Sequence, residues 1–467
     1  MHRFRDNAPD RLVCYDSLKM QPTLFGAPAA TNGFRDSSFA KNKNLPLHRW
    51  VPWVAGFSAD FVQDCLRNYL PNPDRESTVL DPFAGVGTTL VESYLGGLNV
   101  VGFEINPYAA LATKLKLRAL NISIHDLTKE IAAFERFMER AENSATRREP
   151  RSQPPTGFNG RTQLFSPKVE RKVLYAIDFI QAIKDPTLKD MFRLGLGSVM
   201  VSFSNYSYEP SLTRRAAVDK PDILDANVGL SVSAKLHLML EDIGWVQGHM
   251  KTMGYRPRAK IFPQSIFSAL DLLGEKNLVD LVVTSPPYLN NYHYPRNTRP
   301  QLHWLGFTSG TGYNGAREDQ SFGKFWQTVR DSDPVPLSFE MPELSETIEA
   351  IRNRNTEKGC YGGQGWANYI ATYFNDTYGF CKVLAQLLRP KSAAVIVLGN
   401  SIIQGIEVKT DDLFGKIGAL AGLRFEDNHL LRKKRTGNSI IQSSVRVDHA
   451  KEKTVLYESG IVLRKTS

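Results

Sequence analysis

The stretch Ser77–Glu104, "STVLDPFAGVGTTLVESYLGGLNVVGFE", admits few folds. "STVLD" and "NVVGFE" are short runs rich in β-branched and apolar residues, as buried strands are. Between them "TLVESYLGGL" reads as a helix that stops at a glycine pair. Strand, helix and strand in so short a span make a βαβ opening, which places the chain among the α/β folds. The first turn carries chemistry of its own. Asp81, Pro82 and Phe83 leave the strand, Gly85 and Gly87 alternate in a tight turn, and Thr88 and Thr89 open the helix. Glycines there let the backbone approach a ligand, and the helix start offers free N–H groups to an anionic group.

A lone Gly-x-Gly is also what a plain βα turn looks like, so its neighbours matter. No lysine follows, which sets aside a phosphate-cradling loop. The second strand ends at Glu104, where a carboxylate accepts both hydroxyls of a ribose. Asp81 is placed to hold an amino group. A ligand with a ribose, an ammonium and a carboxylate fits this set better than NAD does, and S-adenosylmethionine is such a ligand.

A second stretch, "VVTSPPYLNNYHY" (Val282–Tyr294), raises a different question. The preceding "NLVDLVV" reads as a buried strand, yet two prolines and an aromatic follow it. Pro286 and Pro287 cannot donate to a sheet ladder, and each pushes the residue before it toward extended backbone. The strand therefore stops at about Thr284, and Ser285–Tyr288 hang off its carboxyl end, the edge where open α/β sheets bind ligands. The plain alternative is a rigid loop with Tyr288 filling a gap.

The rest of the chain reads as one α/β sheet domain interrupted twice. Residues up to about 45 are polar. Ser58 is placed to cap a helix carrying Phe61, Val62, Cys65 and Leu66. From about Ala109 to Tyr255 the pattern is mostly helical, with a polar loop at "NSATRREPRSQPPTGFNGR". "AKIFP" and "VDLVV" resume the strands, an irregular region runs from Gly306 to about Gly365, and helix, strand, helix and C-terminal strands follow. No apolar run reaches the length of a bilayer crossing, and the N-terminus lacks the apolar core of a secretory signal. The four cysteines form no Cys-x-x-Cys pair. That spacing predicts no zinc site and a reducing, cytoplasmic compartment, with no membrane partner. The net charge of +10 admits a polyanionic partner such as nucleic acid.

These residues together resemble the amino-methylating DNA methyltransferases, S-adenosylmethionine-dependent enzymes that modify cytosine N4 or adenine N6. "DPFAGVGTT" is similar to the family's first motif, "GFEINP" to its acidic motif, "TSPPY" to its catalytic motif, and "WVAGFSADFV" to the segment lining the methionine end of the cofactor. The resemblance implies a Rossmann-like class I methyltransferase sheet with a large helical insertion and a smaller second one. Residues 1–45 become a polar N-terminal segment and 46–110 the first, cofactor-binding part of the domain. Residues 111–256 become a helical, candidate target-recognition insertion. Residues 257–305 carry the catalytic part, 306–365 a second insertion and candidate DNA contact, and 366–467 the C-terminal part. It also implies cofactor contacts from Phe57, Ser58, Asp81, Pro82, Phe83, Gly85, Gly87, Thr88, Thr89, Glu104, Ile105, Asn106, Ser265 and Ile266. Ser265 stands where the family usually has an Asp toward adenine, so adenine recognition there is uncharged or comes from elsewhere.

Ser285, Pro286, Pro287 and Tyr288 are the implied catalytic residues. The Ser285 side chain and the Pro286 carbonyl accept the amine's two N–H bonds, the prolines hold that backbone still, and Tyr288 stacks on an extruded base. No metal or covalent intermediate is implied. A serine leading this motif leans toward cytosine N4, and Asp or Asn toward adenine N6. Double-stranded DNA is the implied substrate, with a cognate restriction or phage-defence subunit as a further partner. Candidate DNA contacts are Asn205 for a base edge, Tyr206 and Tyr208 for stacking, and Arg214, Arg215, Arg296, Lys433 and Arg435 for phosphates. Each reads equally as a capped helix end or a solvated basic face. Three rivals stand beside this reading. RNA or protein-glutamine methylation typically uses Asn-Pro-Pro-Tyr, a non-catalytic DNA-binding subunit has no need of intact motifs, and a nicotinamide dehydrogenase leaves Ser285–Tyr288 unexplained.

Overall fold

The computed structural model describes residues 33–35, 39–53, 56–143, 149–156, 163–208, 211–274, 276–289, 294–308, 320–433 and 455–466. The strands are β1 (Thr78–Asp81), β2 (Asn99–Phe103), β3 (Tyr206–Tyr208), β4 (Leu212–Arg214), β5 (Ala259–Phe262), β6 (Val279–Thr284), β7 (Leu388–Gly399), β8 (Ser401–Ile403), β9 (Ile406–Val408), β10 (Arg424–Lys433) and β11 (Tyr457–Arg464). The helices are α1 (Ala59–Tyr69), α2 (Thr88–Leu95), α3 (Pro107–Leu117), α4 (Ile124–Asn143), α5 (Pro167–Ala182), α6 (Pro186–Val199), α7 (Val228–Lys251), α8 (Ala269–Leu273), α9 (Tyr294–Trp304), α10 (Trp326–Val329), α11 (Pro342–Arg352), α12 (Gly363–Leu387) and α13 (Thr410–Leu420).

Local chemistry sets the first elements. The Phe61 N–H donates to Ser58 Oγ at 3.1 Å, so Ser58 caps α1 as its sequence predicts. Gly87 precedes α2 with a φ of 87°, a backbone that L side chains rarely adopt. Asn106 caps α3 by accepting from the Tyr108 and Ala109 N–H groups, with Pro107 at the first helical position.

The seven-stranded sheet has the order β10-β11-β7-β6-β1-β2-β5. Neighbours pair in parallel except β11, which runs antiparallel to both β7 and β10. From β1 the chain builds outward through β2 and β5, then returns to lay β6 on the other side of β1. The crevice at that reversal, outside the carboxyl ends of β1 and β6, is where such sheets bind ligands. The fold is the Rossmann-like methyltransferase sheet that the motifs imply.

Alternation along the strands sorts the two faces. Val79, Leu281, Val283, Val395 and Val397 share a core with Phe61, Val62, Cys65 and Leu66 of α1. Leu80, Val282, Ile396 and Leu398 share another with Phe374, Phe380 and Leu384 of α12 and Phe414 of α13. The helical insertion is continuous with the domain, because Phe134, Phe192 and Leu236 join Leu90, Tyr108 and Leu115 of α2 and α3 in a third core. A polar latch adds to it. Buried Asp242 of α7 accepts from the Leu47 N–H at 2.8 Å, Trp50 Nε1 at 2.9 Å and Arg49 Nη2 at 2.6 Å.

Three local readings change. Tyr206–Tyr208 and Leu212–Arg214, read within a helical run, pair as the antiparallel β3–β4 hairpin. The irregular second insertion contains α11, whose Leu344, Ile348 and Ile351 bury one helical stripe. Lys433, read as part of a basic loop, is the exposed last residue of β10. No described helix is long and apolar enough to cross a membrane.

Candidate active site

The glycine turn and the acidic strand end close on each other. Glu104 Oε2 accepts from the Gly85 N–H and Oε1 from the Asn106 N–H, both at 2.7 Å. Each oxygen keeps a lone pair for a further donor. Burial pushes the Glu104 carboxyl up to about 7, against those two bonds. α3 backs the turn from behind. Thr113 Oγ1 donates to the Gly85 carbonyl at 2.9 Å, and the buried Lys116 ammonium donates to the Val86 carbonyl at 2.7 Å. Burial lowers Lys116 to about 7. A Cβ on Gly87 meets Thr113 Oγ1 at 2.8 Å, so that turn is closed to side chains. The first N–H groups of α2, at Thr88 and Thr89, have no intrahelical acceptor.

Asp81 joins this cradle to the second motif. Thr284 Oγ1 donates to Asp81 Oδ1 at 2.7 Å, and the Phe83 N–H donates to the same oxygen at 3.1 Å. Asp81 is buried, and burial pushes it up to about 6. Thr89 Oγ1 donates to the Val283 carbonyl at 3.0 Å. The ends of β1 and β6 are thus pinned together by side chains from both motifs.

Three different elements then hold the turn after β6. Ser285 Oγ donates to the Val397 carbonyl of β7 at 3.0 Å. The Pro287 carbonyl accepts from Tyr373 Oη of α12 at 3.0 Å. Tyr288 Oη donates to Glu458 Oε1 of β11 at 3.2 Å. Pro286 is buried, and its carbonyl receives no hydrogen bond among the described residues.

The remaining sequence candidates lie around this centre in different ways. Phe57 is buried against Phe61 with ring centroids 5.7 Å apart, and Ser58 spends an acceptor site on its cap. Pro82 and Ile105 sit directly beside Asp81 and Glu104. Ser265, buried before a short 3-10 turn, accepts weakly from the Phe267 N–H at 3.5 Å, and Ile266 packs into the sheet core. Phe83 reaches the Ser265 side through Phe322, which meets Phe83 edge-on at 5.3 Å and stacks on Phe267 at 6.5 Å.

α9, directly downstream of the catalytic turn, collects contacts that the sequence does not announce. Asn106 Nδ2 donates to Thr298 Oγ1 at 2.7 Å, tying α9 to the acidic motif. The β3–β4 hairpin docks on the same helix. The Leu212 N–H donates to Asn297 Oδ1 at 2.9 Å, and Tyr208 Oη donates to the Asn297 carbonyl at 3.0 Å. The expected stacking group Tyr208 is therefore an anchor here. Asn205 also needs correcting. It is buried, its Oδ1 accepts from the Ile223 N–H at 3.2 Å, and it holds the chain behind the hairpin instead of facing a base. Arg215 Nε donates to the Pro221 carbonyl at 2.7 Å, which ties its guanidinium to its own loop. Tyr206 is half-buried, Arg214 and Arg296 are exposed, and Arg435 lies outside the described residues.

Comparison with known proteins adds one decisive finding. A family model described as DNA methylase matches residues 31–114, the span that holds α1, the glycine turn and Glu104. Over that span the chain is similar to the amino-group DNA methyltransferases. The likeness to Type II methyltransferases extends over most of the chain. The Type II methyltransferase M.BsoBI of Geobacillus stearothermophilus is 24% identical over 86% of this chain and 83% of its own. M.AvaI of Nostoc sp. is 22% identical over 83% and 81%, and M.MvaI of Kocuria varians 22% identical over 72% and 73%. A solved rRNA methyltransferase, aviRa from Streptomyces viridochromogenes, aligns over 91% of the chain at a TM-score of 0.32 and 11% identity, too distant a likeness to build on.

Proposed function

We propose that this chain moves a methyl group from S-adenosylmethionine to the exocyclic amine of a base taken out of the duplex, cytosine N4 ahead of adenine N6. The modification is site-specific and belongs to a Type II restriction-modification setting, as the names of its relatives suggest. The observation that carries the reading is the clamp on Ser285–Tyr288, with Asp81 hydrogen-bonded to the neighbouring Thr284.

An exocyclic amine is a poor nucleophile because its lone pair is delocalised into the ring. Acceptors for both N–H bonds let the nitrogen pyramidalise. Ser285 suits that task because its own proton goes to the Val397 carbonyl, which leaves oxygen lone pairs for an incoming donor. The Pro286 carbonyl is the second acceptor. Both are immobilised beforehand, so little reorganisation accompanies the reaction. Tyr288 offers an aromatic face to the extruded base. Glu104 would accept the ribose hydroxyls, the open N–H groups at the start of α2 would receive the carboxylate, and Asp81 would hold the ammonium. S-adenosylmethionine, when bound, supplies an electrophilic methyl on its sulfonium. Cytosine is favoured because serine leads the catalytic motif.

Nucleoside mass spectrometry tests this on DNA from a methylation-free host expressing the wild-type chain or Tyr288→Ala. N4-methylcytosine in the wild type alone is the expected result. N6-methyladenine alone overturns the base assignment, and neither mark in DNA moves the test to RNA and protein with labelled cofactor.

A further inference from the structure

The three supports of Ser285–Tyr288 seen among the described residues are chemically unequal. Ser285 rests on a backbone carbonyl, and Pro287 is itself a backbone carbonyl met by a neutral phenol. Tyr288 instead reaches a carboxylate. Glu458 is 6% exposed, on a strand paired on both sides, and its other oxygen, Oε2, accepts from Arg432 Nε. Arg432 and Glu458 are cross-strand partners of β10 and β11. A buried carboxylate costs free energy unless it is paired and hydrogen-bonded, and here Arg432 does the pairing while Tyr288 occupies the second oxygen.

We infer that Glu458, held by Arg432, is a positioning residue that fixes the ring of Tyr288 for stacking on the target base. The inference rests on the proposed role of Tyr288 and adds a second layer to it. Pro287 sets the backbone before Tyr288 but leaves its side-chain torsions open. A hydrogen bond from the phenol tip to a fixed carboxylate removes that freedom, because it holds the ring at the end furthest from the backbone. The ring then meets an extruded base without first being ordered, which is preorganisation of a binding surface. Arg432 acts one step further out. It pairs with Glu458 and aims it, and it links Tyr288 to the β10–β11 pair at the sheet edge. The cofactor residues stand on β1, α2 and β2, so the inference separates target-base handling from cofactor binding.

A double-mutant cycle tests it, using tritium-labelled S-adenosylmethionine and unmethylated DNA from a methylation-deficient host. Tyr288→Phe removes the hydroxyl and keeps the ring. Glu458→Gln keeps shape and packing and removes the charge. Each is expected to lower kcat on the order of tenfold, the effect of losing one hydrogen bond to a charged group, with cofactor affinity unchanged. The double variant is expected to be no slower than Tyr288→Phe alone, because without the phenol hydroxyl the charge of Glu458 has no further effect on that contact. Effects that multiply, or a Glu458→Gln enzyme with wild-type kcat, overturn the inference. Tyr288→Ala keeps its failure apart from that of the parent reading. A fully active Tyr288→Ala enzyme removes the stacking role and this inference together. An inactive one beside multiplying single effects removes this inference alone.

Discussion

Glu104 shows how one carboxylate shapes a turn and, on the proposed reading, also serves a ligand. Its two bonds from the Gly85 and Asn106 N–H groups shape the glycine turn, and each oxygen retains acceptor capacity. Burial raises its pKa to about 7, so in the free chain near neutral pH it carries a proton part of the time. Ribose hydroxyls donate best to the ionised form. Cofactor affinity therefore rises as pH climbs from 6 and levels off above about 7, where no proton has to leave first. The change approaches tenfold per pH unit well below that value. Titration calorimetry at pH 6 and 8 is expected to show wild-type affinity higher at pH 8, by several-fold. Glu104→Gln is expected to bind more weakly at both and with a flattened profile. Asp81, raised to about 6 by burial, is half protonated at the lower end of that window and adds about a further twofold loss there.

Helix α9 gathers the structural news at the scale of elements. It joins the acidic motif through Thr298 and the β3–β4 hairpin through Asn297. Asn297→Ala leaves the Leu212 N–H without its acceptor in a buried place, a loss of about 1–3 kcal/mol. Thermal unfolding is expected to move down accordingly. Methyl transfer is expected to fall more than cofactor binding, because the hairpin belongs to the candidate recognition insertion; equal losses in both count against coupling through α9. These contacts also mark the limit of what the sequence discloses. β1, α2, β2, the α1 cap and the end of β6 are legible because glycines, prolines and caps act on their immediate neighbours. The supports of the catalytic turn are not, since Val397, Tyr373 and Glu458 lie 112, 86 and 170 residues from their partners. Asn205 misleads for the same reason. An asparagine among tyrosines and arginines reads as a base contact until Ile223, 18 residues on, turns out to be its partner.

Across the whole molecule, the insertion and the sheet share one apolar core through α2 and α3, and Asp242 latches the leading segment to α7. The candidate recognition insertion is therefore packed against the candidate cofactor motifs and does not hang from a tether. Binding to a polyanion then engages a surface whose basic groups keep fixed spacing, on a chain carrying 58 basic against 48 acidic residues. Each phosphate neutralised by such a group releases condensed counterions, so the affinity for duplex DNA falls with salt at a slope of about −0.9 in log–log terms per phosphate contact. Exposed Arg296, on the helix that follows the catalytic turn, and Lys433, at the end of β10, are candidates for two of those contacts. Arg296→Ala and Lys433→Ala are each expected to make the slope shallower by about 1 while leaving cofactor affinity unchanged. Arg215→Ala is expected to leave the slope alone, because its guanidinium is tied to the Pro221 carbonyl. Fluorescence anisotropy with one duplex over a range of salt separates the three. A slope that ignores Arg296 and Lys433 but responds to Arg215 places the DNA on the face of the turn after β4 instead.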